Sequence, residues 1–312
     1  MDIIRYPDDP APALWTQTVL ALGNFDGVHR GHDKIIDHVR RRGRDLNGTA
    51  AVLTFDPHPP RVVRPDKAPP LLMTIEQKLD CMAASGMDGA AVVHFTPELS
   101  RWDPETFVRR VLVEWLGVAE VWVGANFLFG HDRSGNFSLL RSLGARYGFR
   151  VEKITPVRYK EFVVSSTRIR RLVGGGEVDE AGALLGHHYY IDGEVVPGAR
   201  RGQTYGVPTA NLRTDNEVIP PDGVYATTVT LDGAIHPAVT NIGRRPTFET
   251  DGARVVETHL FDYDDDLYGR RVRLAFVQRL RGERAFPDAG TLRRQIAADC
   301  DQARALFEQM AL

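Results

Sequence analysis

Near Gly186 the rhythm of the chain changes, and that change limits the fold more than any single residue does. Before it, short apolar runs alternate with helical stretches. Val19–Leu22, Ala50–Phe55, Ala90–Phe95 and Val121–Val123 read as strands; Asp33–Leu46, Thr74–Ser85, Pro104–Leu116 and Leu139–Tyr147 read as helices. Strand-helix alternation predicts a parallel sheet covered by helices. Asp103, just ahead of Pro104, is the expected cap of its helix. Two further helices, Thr167–Val173 and Val178–Leu185, flank Gly174-Gly175-Gly176. After Gly186 only strand-like runs follow: Tyr190–Val196, Val224–Leu231, Ala238–Ile242, Val255–Leu260 and Val272–Val277, then a closing helix at Thr291–Gln309. Such runs, punctuated by glycine, proline and aspartate, predict a small antiparallel β-barrel. The expected fold class is therefore α/β plus β: a Rossmann-like N-terminal domain over 1–186 and a barrel with a terminal helix over 187–312.

The chain's 312 residues suffice for two cores, with 43% hydrophobic and 26% charged residues. A net charge of −2 gives no field that would steer the whole chain to nucleic acid or an anionic membrane, so an anionic ligand needs a local site. Cys81 and Cys300 are far apart and without metal-type spacing, which fits free thiols in a reducing compartment. The acidic, proline-broken start does not read as a signal peptide, and no apolar run is long enough to span a bilayer. The expected location is the cytoplasm, with no membrane or nucleic-acid partner and room for a weak homo-oligomer.

The sharpest motif is Gly23-Asn24-Phe25-Asp26-Gly27-Val28-His29-Arg30-Gly31-His32, which leaves a strand and enters a helix. Ligands of open α/β sheets sit at the carboxyl ends of strands, and a helix N-terminus offers free amides to phosphate. Gly23, Phe25, Asp26, Gly27 and Gly31 are thus candidate nucleotide-binding positions. His29 and His32, three apart, can face one ligand and donate hydrogen bonds to ATP phosphates as charge builds. A metal pair and two surface histidines are the competing readings. Ser165-Ser166-Thr167-Arg168 opens a later helix; its hydroxyls can cap that helix or hold phosphate, and Arg168 can clamp a pyrophosphate. His58 stands between prolines in a loop expected to expose its ring, equally as a loop residue or a ligand contact.

A second constellation lies in the barrel. The run from Gly198 to Asn211 is glycine-rich and basic, so Arg200, Gly202 and Gly206 are candidates to wrap phosphates. Thr209 and Asn211, two apart on an extended backbone, should point to one side and offer hard oxygens to Mg²⁺. An ordinary turn entering a strand is the competing reading. The acids of 262–266 lack the glycine and terminal glutamate of a calcium loop and read as a solvated turn. Arg40-Arg41-Arg42 with Arg44 reads as the wet face of a helix end.

Taken together, the histidine motif and Ser-Ser-Thr-Arg-Ile-Arg resemble the nucleotidyltransferase superfamily. More narrowly, they resemble the bacterial bifunctional riboflavin kinase/FAD synthetase family. Phe55-Asp56-Pro57-His58-Pro59 and Val123-Gly124-Ala125-Asn126-Phe127-Leu128-Phe129-Gly130 carry the same likeness, with Leu128 where an arginine is frequent. Pro208-Thr209-Ala210-Asn211, Pro221-Asp222-Gly223-Val224-Tyr225, Asn241-Ile242-Gly243, Pro246-Thr247-Phe248 and Val256-Glu257-Thr258-His259 resemble its kinase domain. The resemblance implies ATP and Mg²⁺, with riboflavin, FMN and FAD as the other ligands. It implies that Asn126 binds flavin or ATP, that Thr209 and Asn211 hold Mg-ATP, and that Glu257 is the general base for a ribityl hydroxyl. On its own Glu257 could equally be a strand carboxylate facing water. Two rivals stay open: a nucleotidyltransferase for another substrate, separated by flavin specificity, and a non-catalytic nucleotide sensor, separated by turnover.

Overall fold

The computed structural model describes residues 1–198, 208–244 and 254–310. The chain divides into two compact units, Met1–Ser165 and Ser166–Leu312.

The first unit is built on a six-stranded sheet. Its strands are β1 (Asp2–Tyr6), β2 (Thr18–Leu22), β3 (Ala50–Asp56), β4 (Gly89–His94), β5 (Val118–Gly124) and β6 (Arg150–Ile154). They lie in the order β1-β4-β3-β2-β5-β6, all parallel. The central strands are near-continuous apolar runs because both faces are covered; every residue of β2 is buried. The helices are α1 (Arg30–Asp45), α2 (Pro59–Val63), α3 (Ile75–Ala84), α4 (Pro104–Phe107) and α5 (Phe137–Tyr147). Leu20, Leu53, Val93, Val111, Leu112 and Val121 are among the residues of one core beneath them.

Several expectations change in detail. The expected helix over 104–116 is α-helical only through α4, then widens to π-type turns over Val108–Trp115. Its cap is as expected: Asp103 Oδ1 accepts the Thr106 N–H at 3.0 Å. Arg42 is not part of a wet face, since its guanidinium makes two bonds, 2.5 and 3.1 Å, to the buried Glu120 of β5. Strands β1 and β6 were not anticipated.

The second unit opens with α6 (Ser166–Gly175) and α7 (Val178–Leu185), which the sequence reading counts with the first domain. A closed barrel follows: β7 (Tyr189–Val196), β8 (Ala210–Thr214), β9 (Gly223–Leu231), β10 (Ala234–Arg244), β11 (Arg254–Leu260) and β12 (Arg271–Gly282). Around the ring they run β7-β8-β11-β10-β9-β12, and every pair is antiparallel. The buried rings of Tyr225 and Phe276 meet edge to face at 5.5 Å. Buried hydroxyls satisfy one another: Thr240 lies 2.8 Å from Thr227 and donates to Thr258 at 2.9 Å. Helix α8 (Ala289–Met310) packs Ala303 and Phe307 on Phe261 and Val277. It is fastened by the fork of Arg281 on the buried Asp299 and by Arg304 on Asp262. The first acid of the 262–266 run thus holds an arginine, and no metal-type cluster occurs among the described residues.

Candidate active sites

In the first unit the chain leaves β2 for β3 and β4 on one side, then returns to β5 and β6 on the other. The strand order therefore reverses between β2 and β5, where open α/β sheets bind ligands at their carboxyl edge. The Gly23–His32 segment leaves that end of β2, and Asn126, exposed, lies just beyond that end of β5. Gly23 is tied to β3 by its N–H on the Leu53 carbonyl, 3.1 Å. Phe25 is buried at φ 50°, and the buried Asp26 accepts the Leu72 N–H at 3.0 Å. Gly27 has φ 85°, and a Cβ there would lie 2.7 Å from Leu72, so only glycine fits.

His29 is the N-cap of α1 and is only 7% exposed. Its Nδ1 accepts the N–H groups of Gly31 (3.2 Å) and His32 (3.3 Å), while His32 Nδ1 accepts the His29 N–H at 3.4 Å. This is a capping box written in imidazole. The rings stack at 3.7 Å with 9° between planes. Because each Nδ1 is an acceptor, the proton of each neutral ring sits on Nε2. Burial holds His29 down at about 4 and keeps His32 well below the usual imidazole range, with the His29 and Lys78 charges adding to the second effect. The pair therefore stays neutral near pH 7 and carries two Nε2–H donors. No third His, Cys, Asp or Glu joins them as a metal cluster among the described residues.

His58 departs from expectation. Its ring is buried, because the two-residue step from β3 to α2 turns it inward rather than into solvent. Ser165 ends the first unit, and Ser166, Thr167 and Arg168 form the first turn of α6 in the second, with only Thr167 fully exposed. Lys78 was missed. It lies on the buried side of α3, 6% exposed, with Nζ 3.1 Å from Thr54 Oγ1. The legible signal was a lysine four residues before Met82, on the apolar face.

In the barrel, Asn211 stands opposite Glu257 across β8 and β11, and Glu257 stands opposite Asn241 across β11 and β10. Directly paired residues share a face, so the three side chains form one row. Asn211 is 7% exposed, and its buried Oδ1 has no hydrogen-bond partner among the described residues. Gly198 packs directly on that amide, where a Cβ would occupy the space of the Asn211 side chain. β8 begins at Ala210, so Thr209 stands just ahead of the strand and no ladder pairing orients it. Its neighbour Pro208 is anchored instead: the His259 Nδ1–H donates to the Pro208 carbonyl at 2.8 Å. Arg200, Gly202, Gly206 and Pro246-Thr247-Phe248 lie outside the described residues.

Comparison with known proteins follows the same division. The FAD synthetase family model matches residues 11–168 and the riboflavin kinase model residues 185–307. A Pseudomonas fluorescens bifunctional riboflavin kinase/FMN adenylyltransferase is 38% identical over 288 residues, 92% of each chain. The Escherichia coli K12 protein of the same description is 37% identical over 98% of each chain, and that of Bacillus subtilis is 34% identical over 98% of each. A crystal structure from Streptococcus pneumoniae, described as a macrolide-efflux protein, superposes with a TM-score of 0.87 at 26% identity, covering 97% of this chain and 99% of that one. No helix among the described residues of the present chain is long and apolar enough to cross a membrane. With both family models met in the order sheet then barrel, and with relatives matched end to end, the chain belongs to the bifunctional riboflavin kinase/FMN adenylyltransferase family.

Proposed function

We propose that this chain phosphorylates riboflavin to FMN with ATP in its barrel and joins FMN to AMP, giving FAD and pyrophosphate, in its parallel-sheet unit. The observation that supports the reading is two neutral imidazoles on a helix start in one unit, and a buried amide oxygen without a described partner in line with a carboxylate in the other. We assign adenylyl transfer to 1–186 and phosphorylation to 187–312, supported by family matches over 11–168 and 185–307.

In adenylyl transfer an FMN phosphate oxygen attacks the α-phosphorus of ATP, and the bond to pyrophosphate breaks. The Nε2–H groups of His29 and His32 donate to phosphate oxygens as their charge grows. The amides of the loop and of the start of α1, from Gly23 through Gly31, favour the same anion. Asn126 and His58 are assigned to ATP or flavin, Ser165, Ser166 and Thr167 to phosphate binding, and Arg168 to the departing pyrophosphate. In the kinase reaction Glu257 accepts the proton of the ribityl 5′-hydroxyl as that oxygen attacks the γ-phosphorus of ATP and the bond from that phosphorus to the departing ADP breaks. Arg200, Gly202 and Gly206 are assigned to phosphate binding from the sequence. A hard cation suits this site, because Asn211 Oδ1 is a buried oxygen with no hydrogen-bond partner among the described residues. Thr209 and Asn211 would hold Mg²⁺, which neutralises phosphate charge when bound. We further infer a cytoplasmic enzyme of free small molecules, with at most weak self-association and no nucleic-acid partner.

The test is product analysis from riboflavin and from FMN, each with ATP and Mg²⁺. Glu257→Ala should abolish FMN formation and leave FAD formation from FMN intact; H29A/H32A should stop the sequence at FMN. A wild-type chain yielding neither product sinks the reading, and a folded single-site variant losing both activities sinks the division of labour.

A further inference from the structure

One buried cation in the first unit has no part in the mechanism above. Lys78 reaches from α3 beneath the histidine motif, and its Nζ donates to Thr54 Oγ1 at 3.1 Å. The Thr54 hydroxyl in turn donates to the main-chain carbonyl of Asn24 at 3.1 Å. Thr54 sits near the end of β3 and Asn24 in the loop that follows β2, so the chain of two bonds ties three segments together: α3, β3 and the motif loop. Lys78 and Thr54 are both inside the protein, where a lysine is costly unless its charge is used.

We propose that Lys78 is a positioning residue for adenylyl transfer: its buried ammonium, fastened through Thr54 to the Asn24 carbonyl, fixes the loop that leads into His29 and His32. The proposal rests on the adenylyl-transfer reading of this unit. Three titratable groups face the ammonium: Asp26 from the loop, Asp56 from the end of β3 and His32 from α1. Burial brings Lys78 down to about 8, and the two carboxylates pull the other way, so at pH 7 it is a cation. Its charge also disfavours protonation of His32. The same lysine therefore sets where the imidazoles stand and helps to keep them uncharged.

The experiment uses the full chain and follows FMN adenylylation, with riboflavin phosphorylation as the control read on the other unit. K78M should lower kcat for adenylylation on the order of 10²-fold, the scale of a misplaced catalytic group, while riboflavin phosphorylation is unchanged. K78Q, which keeps a donor for Thr54 but no charge, should lose less in rate. In both, the acid limb of the pH profile should move to higher pH, a change that loosened packing alone would not produce. T54V should reproduce the loss and T54S should restore the rate. If K78M does not fold, K78Q and T54V decide. Folded variants with wild-type kcat and an unmoved acid limb overturn the proposal. A wild-type chain that makes no FAD from FMN instead overturns the functional reading on which it rests.

Discussion

His29 does two jobs with one ring, and the jobs can be separated by substitution. Its Nδ1 closes the first turn of α1, and its Nε2–H is left for a ligand. Asparagine is a strong N-cap and offers no donor at the Nε2 position, so His29→Asn should keep stability and lose FMN adenylylation. His29→Ala should lose both, with about 1 kcal/mol less stability, read by urea unfolding of this unit. The pH dependence follows from the depressed imidazole. His29 sits at about 4 when folded against 6.5 unfolded, so between these values the unfolded chain binds more protons. Its contribution to stability is therefore present above pH 6.5 and lost as pH falls towards 4. Asp33, held up at about 6 by burial and by Asp37, acts in the opposite sense in the same range. The His29 part is the difference between wild type and H29N, measured at pH 7.5 and 5. Equal slopes in the two proteins would remove the account. At this scale the sequence was informative wherever a residue type is rare in its setting, as with paired histidines after glycines. For Lys78 the helical spacing to Met82 was a signal that could be read, whereas for His58 whether the ring faces inward is decided by packing that no local pattern encodes.

Among the elements, the ones found from sequence were those with continuous or strictly periodic apolar residues. β2, β3 and β4 are buried on both faces and read as unbroken apolar runs. The strands that escaped, β1 and β6, are the outer strands of the same sheet; DIIRY and RVEKI mix charges with apolar residues because one side of each meets solvent. β8 escaped for another reason: it is five residues long, and the glycine-rich run before it reads as loop. The widening of the 104–116 helix also left no mark, since π-type turns keep the residue types of an α-helix. Helix α8 was legible, but its fastening was not. Asp299 is buried and receives both arms of Arg281 as well as Gln295. Asp299→Ala strands that guanidinium and should cost about 3 kcal/mol. The loss should appear as faster hydrogen exchange through α8, with FMN adenylylation untouched. Unchanged exchange there would show that the apolar contacts of Ala303 and Phe307 suffice.

For the molecule as a whole, two active units on one chain raise the question of whether FMN must be passed within it. Since each unit has a core of its own, free FMN should serve. A mixture of E257A and H29A/H32A should therefore make FAD from riboflavin although neither protein does so alone, seen by chromatography of the products. A mixture that stays silent while each variant retains its remaining activity would mean that FMN does not leave the chain that made it. The two architectures also differ in what they leave open at their borders. The barrel is a ring, so no strand in it has an unpaired side. The parallel sheet has two rims, and those rims carry Asp2 and Arg5 on one side and Arg150, Glu152 and Lys153 on the other. A stray copy seeking a ladder to extend finds none on the ring and only charged ribbons on the sheet, which is how a protein with twelve principal strands avoids templating its own fibrils.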